Sequence, residues 1–156
     1  MRSAGRGFRA GLTVAAGAFL ATALMAAPAD IVKTRVTGLR ELGAAFKNVN
    51  DELKSGTPQA IVLTLSARQI RDSARQQYGW FPAGSGPQPG VKTAAKPEIW
   101  SRAAEFKTAQ DNFATQANAF AKIAGSGDGA ALRAQAKALG QTCAACHRIF
   151  RTDDKS

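Results

Sequence analysis

Apolar residues recur in steps of three and four along most of this 156-residue chain, and no stretch alternates with the period of two that marks a half-buried strand. Four helical segments are predicted. The first, from about Asp30 to Lys54, carries Val32, Leu39, Leu42, Phe46, Val49 and Leu53, with one charged intruder on the apolar line, Arg35. The second, from about Pro58 to Tyr78, carries Ile61, Val62, Leu65 and Ile70. Thr57 is its expected N-cap, and Pro58 falls in the first turn, where a missing N–H costs nothing. The stretch GWFPAGSGPQPGVKTAAKP, 79–97, holds four of the six prolines and four glycines and reads as a long connection. A third helix opens at Pro97-Glu98 and carries Ile99, Ala103, Phe106, Gln110, Phe113, Ala117, Phe120 and Ala124. GSGDGA then breaks the chain, with Asp128 as N-cap of a last helix carrying Leu132, Ala136, Leu139, Cys143, Cys146 and Phe150. Four amphipathic helices joined by two short turns and one long loop predict an all-α, antiparallel four-helix bundle.

The first 29 residues stand outside that pattern. Arg2, Arg6 and Arg9 begin a basic start, Gly11 to Ala27 is apolar, and Ala27-Pro28-Ala29 has the small-x-small form of a cleavage site. This reads as a secretory signal peptide with Asp30 as the mature N-terminus, leaving a single domain over 30–156. A retained membrane anchor is the rival reading, but the run is barely long enough to span and is rich in Ala and Gly. Cleavage would place the protein in the periplasm with no membrane attachment. Three of the 21 basic residues leave with the leader, so 18 face 11 acidic residues, a net charge of about +7. These charges are scattered, and the best cluster, Arg68, Arg71 and Arg75, reads as a solvated helix face before it reads as a dock for an acidic protein partner. With no dense basic run and no interleaved aromatics, nucleic acid is not expected as a partner.

The leader also takes both methionines, Met1 and Met25, and the remainder of the chain contains one histidine and two cysteines. All three lie in QTCAACHRIF, where Cys143 and Cys146 are three apart and His147 comes directly after. A disulfide is one reading for an exported protein, but such a pair closes only a tiny loop. Redox Cys-x-x-Cys pairs favour a helix N-terminus, and this pair sits near a C-terminal end. Zinc needs four ligands, and the motif supplies three. Covalent haem attachment requires the fewest assumptions: the thiols at Cys143 and Cys146 form thioethers to the vinyl groups, and His147 becomes the axial ligand. His–Met or His–His ligation then has no second partner, so a high-spin iron held from one side is expected. Lysine, tyrosine or the terminal amine could ligate in principle, but none is signalled. An aliphatic open face offers bound O₂ no hydrogen bond, which favours NO and CO, and it lacks the acid–base group that peroxidase chemistry wants.

Three stretches together, VKTRVTGLRELG, PEIWSRAAEFK and CAACHRIFR, resemble the cytochrome c′ family, high-spin c-type cytochromes with the haem at the C-terminal helix. That family is itself a standard example of the four-helix bundle, so the two expectations are not independent. The resemblance runs from about Ile31 to Arg151. It implies one covalent haem c on Cys143 and Cys146, His147 as proximal ligand, and Arg151 as the arginine beside the haem on the proximal side. It implies that Arg35 contacts a haem propionate, against the plainer reading of a residue snorkelling to water at the bundle's end. Leu39 falls where low-spin, methionine-ligated relatives place their axial methionine, and as leucine it would cap the vacant face. Trp80 and Phe81 are expected near the haem edge, with Phe106 and Trp100 as further aromatic candidates.

The functional expectation is an exported mono-haem protein, not an enzyme, that reversibly binds NO, with CO as probe ligand. The resemblance links it to NO buffering or tolerance and to homodimers paired through the first two helices. The alternative is a one-electron carrier between exported redox partners, although ligation changes raise the cost of electron transfer. A haem enzyme ranks last, because no distal His, Asp or Glu is signalled.

Overall fold

The computed structural model describes residues 28–153. The expected leader lies outside them except for Pro28 and Ala29, which open α1 (Pro28–Lys54). The other helices are α2 (Ala60–Gln76), the single turn α3 (Glu98–Ser101), α4 (Ala103–Ile123) and α5 (Gly129–Phe150), with a 3₁₀ turn over Gln77–Gly79. Helix α1 packs on α2, α2 on α4 and α4 on α5, and α5 returns to α1. This is the expected four-helix bundle, with no strand among the described residues. No helix among them is long and apolar enough to cross a membrane.

Ends and faces depart from expectation in three places. Helix α2 begins at Ala60, and Thr57 does not cap it; the N-cap is Gln59, whose backbone N–H donates to Glu52 Oε2 at 2.7 Å. A carboxylate from the end of α1 thus does the work expected of a threonine hydroxyl. The buried line of α2 is Leu63, Ser66, Ala67, Ile70, Ser73 and Ala74, while Ile61 and Leu65 are 64% and 55% exposed. Small residues win the inward face because α2 must pack against both α1 and α4, where large side chains would hold the backbones apart. The third segment is broken at Arg102 (φ −119°, ψ 47°), which turns Ala103 outward while Ile99 and Phe106 on either side stay buried. Asp128 caps α5 as expected, accepting from the Ala130 and Ala131 N–H groups at 3.0 Å each.

The long connection is ordered by turns rather than by an element. Gly84 and Gly90, both at φ +80°, hold the third position of tight turns closed by Ser85 N–H to Pro82 O and Val91 N–H to Gln88 O, where only glycine takes that backbone without strain. At its ends the loop is tied to the bundle. Gln77 and Gln110 exchange amide-to-carbonyl hydrogen bonds at 3.2 Å, and Lys96 N–H reaches Phe150 O at 2.9 Å.

Two apolar clusters result. The larger runs through the bundle with Val49, Ile70, Ala117, Phe120 and Leu139 at its centre. The smaller, built on Ile99, Phe106 and Phe150, lies where the loop meets the end of α5. The α2 register is directly testable. Ile70→Ala, fully buried, should cost about 2–5 kcal/mol in denaturant unfolding. Ile61→Ala, compared at protein concentrations that keep the chain monomeric, should stay within about 0.5 kcal/mol of the parent. Equal losses would contradict the observed face.

Candidate functional site

The Cys-x-x-Cys-His stretch occupies the last two turns of α5, which runs unbroken through it. Cys143 packs against the larger cluster and Cys146 against the smaller, so the two thiols bridge the bundle's two apolar regions. Both are free and partly buried. Burial raises the Cys143 thiol above its ordinary pKa; for Cys146, burial and then the neighbouring Cys143 push it up to about 11. Neither is a ready thiolate at neutral pH, which weighs against redox chemistry at this carbonyl end of a helix. The His147 side chain is exposed on its outer face. Partial burial of the ring, and then the Arg151 guanidinium, hold its pKa below the usual imidazole value, favouring the neutral form that ligates metals. Among the described residues, no three or more His, Cys, Asp or Glu side chains converge as metal ligands.

Arg35 is the most unusual residue of this end. Its side chain is 1% exposed, which excludes snorkelling to water. Nη1 donates to Trp80 O (3.4 Å), Ser85 O (3.1 Å) and Ser85 Oγ (3.2 Å); Nη2 donates to Ser85 O (3.1 Å) and Thr93 Oγ1 (3.0 Å). The guanidinium also lies 4.9 Å from the Phe81 ring centroid and 5.8 Å from that of Trp100. Burial lowers its pKa, and among the described residues no carboxylate is within ion-pair reach.

The other expected residues are arranged around it. Phe81 stacks edge-on against Phe106 at 4.8 Å, and Phe106 against Phe150 at 5.1 Å. This chain of rings joins the loop through α4 to the cluster that Cys146 packs on. Trp100 donates its indole N–H to Pro82 O at 3.0 Å. Trp80, 8% exposed, lies against α1 at Gly38. Leu39 is the member of the α1 line that stays open, at 39% exposure, between buried Arg35 and partly buried Leu42. Arg151 is exposed, one turn beyond His147, its backbone paired with Ala95. A groove of about 540 Å³ between α4 and α5 runs along the same stretch of α5, lined by Asn112, Gln116, Thr142, Ala145, Ile149 and Phe150 among others, but by neither cysteine nor His147.

The family model described as cytochrome C′ matches residues 30–151. Cytochrome c′ of Pararhodospirillum photometricum is 33% identical over 127 residues, covering 81% of this chain and 99% of its own. That of Rhodospirillum rubrum is 33% identical over 146 residues, covering 91% and 97%. The chain belongs to the cytochrome c′ family. Among solved structures, a nitric oxide complex of a variant cytochrome c prime from Alcaligenes xylosoxidans superposes with a TM-score of 0.75 at 27% identity, over 83% of this chain and 99% of that one. The chain accordingly carries the family's single covalently attached haem c.

The residues present fit that group. Two neutral thiols sit at helical spacing beside a neutral imidazole, an open leucine stands on the apolar line of α1, and the buried guanidinium has no anionic partner among the described residues, a place that a propionate could fill. Sequence reasoning missed Ser85, Thr93 and Gly38. Nothing in a Gly/Pro-rich loop announces which carbonyl will meet an arginine fifty residues earlier. A glycine in a helix interior does signal a close approach, since it otherwise weakens the helix by about 0.5–1 kcal/mol. Arg35→Lys keeps the charge but cannot reach Ser85 and Thr93 together while stacking on Phe81. It should lower hydrogen-exchange protection across 80–93 by about tenfold or more, with α5 protected as before. Unchanged protection in the loop would contradict the role assigned to these bonds.

Proposed function

We propose that this chain is an exported cytochrome c′ that reversibly binds NO, with CO as probe ligand, and serves NO buffering or tolerance rather than catalysis. One observation carries the reading: from Asp30 onward the chain has a single histidine, His147, and no methionine. Bound haem supplies an iron with one coordination position for a small ligand. Cys143 and Cys146 would hold the group covalently to α5, and His147 would ligate from the proximal side with Arg151 beside it. Leu39, open and apolar, would face the vacant side and offer no hydrogen bond to a ligand there. Arg35 would add a propionate to the acceptors it already holds, and Trp80, Phe81 and Phe106 would pack at the haem edge. Tyr78, the chain's one tyrosine, is engaged with Asp111 at 2.8 Å, which speaks against its ligating the iron. The nitric oxide complex solved for the Alcaligenes relative supports the choice of ligand. Export rests on the leader pattern, and a homodimer through α1 and α2 is supported by exposed Ile61 and Leu65 on α2.

Visible absorption of the reduced protein tests the reading. A broad high-spin Soret band that sharpens with CO is expected. Sharp low-spin bands without a CO response would overturn it and favour a one-electron carrier for acidic partners, to which the excess of basic residues is suited. Leu39→Met should convert the spectrum toward low spin and weaken CO binding by about tenfold or more, because the thioether then competes for the open position. A spectrum unchanged by Leu39→Met would remove Leu39 from the site.

A further inference from the structure

Gly38 lies in the interior of α1, three residues after Arg35 and one before Leu39. A Cβ built on it would collide with Cζ2 of Trp80 and stand 2.7 Å from Cη2, with Cε2 at 3.0 Å. No side chain larger than hydrogen coexists with the indole in that position. The indole therefore rests on bare helix backbone, and its own carbonyl is held one turn away by Arg35 at 3.4 Å. Because glycine weakens a helix interior relative to alanine, the close approach accounts for a residue that local propensity opposes.

We propose that Gly38 is a positioning residue for the ligand-binding face: the bare backbone here seats Trp80 against α1 one residue before Leu39, and that seat sets the space open to a small ligand. The inference rests on the reading of Leu39 as the residue facing the vacant side of the haem. It adds that the neighbouring wall is fixed by α1 itself, through Gly38 beneath the ring and Arg35 on the loop carbonyl. The surroundings set the direction of failure. On one side of the indole is a groove of about 440 Å³ lined by Thr34, Thr37, Glu41 and Gln76 together with Gly38 and Trp80. A methyl at 38 would drive the ring off the helix toward that open space, whose lining does not include Leu39, and so widen ligand entry.

The test is CO association to the reduced holoprotein, monitored by stopped-flow absorbance, for the parent, Gly38→Ala, Trp80→Leu and the double variant. Gly38→Ala should speed association by about fivefold or more. In the Trp80→Leu background the same alanine should change the rate by less than about twofold, because the clashing ring atoms are gone. A Gly38→Ala rate within twofold of the parent, with only the melting temperature lowered, would overturn the proposal. So would an equal acceleration by alanine with and without the indole. Should Gly38→Ala not fold, Trp80→Leu alone must accelerate association, and an unchanged rate there would overturn it. A parent protein that binds no CO at all would instead defeat the underlying reading of the haem face, which keeps the two failures apart.

Discussion

A positive charge buried without an acid beside it is the constraint on which this end of the molecule depends. Removing a guanidinium from water is costly unless its donors are satisfied, and Arg35 meets that cost with loop oxygens and ring faces rather than with a carboxylate. The oxygens come from Trp80, Ser85 and Thr93, so satisfying one side chain fixes most of an otherwise irregular connection. The rings come from Phe81 and Trp100, and Phe81 continues through Phe106 to Phe150 on the cysteine-bearing helix. One interaction at the start of α1 is thereby tied, through the loop and α4, to the last turn of α5. The charge remains formally uncompensated among the described residues, and this is what makes a carboxylate-bearing cofactor chemically welcome there.

The bundle divides its work along its length. Away from the loop, large side chains interdigitate around Val49, Phe120 and Leu139, while Ser66, Ala67, Ser73 and Ala74 let α2 come close to its neighbours. Nearer the long loop the main core ends short of the aromatic cluster, and Leu39 and the cysteines are left incompletely covered. Helix α5 straddles both regions. On the function proposed above, the cysteines would anchor the haem to a long, well-capped helix, and the opposite wall would be assembled from α1 and the loop.

Much of this was legible in the chain. The four helices, the Asp128 cap and the helical placement of Cys143-Ala-Ala-Cys146-His147 emerge from periodicity, capping chemistry and spacing. The family could be named from three short stretches. The inward face of α2 was legible at Ile70 but not at Ser66 and Ser73, because hydropathy ranks Ile61 and Leu65 above them, whereas close packing between helices selects for size. The cap of α2 was misread for a related reason: a Thr-Pro pair is a local signal, and the Glu52 carboxylate that serves Gln59 comes from the preceding helix. The break at Arg102 is likewise absent from the apolar pattern, which passes through it with Ile99, Ala103 and Phe106 in step.

By itself the sequence determined which chemistry is available: two thiols, one imidazole, no methionine from Asp30 onward, and an apolar residue at position 39. These are matters of composition and of spacing along one helix, and they hold whatever the rest of the chain does. Only the tertiary structure decided that Arg35 is sealed inside rather than snorkelling, that its partners are Ser85 and Thr93, and that Gly38 is the seat of Trp80. Those facts join residues some forty to sixty positions apart through a loop without periodicity. The path of such a loop is set by where its backbone oxygens find donors and its rings find room, which only the packed fold supplies.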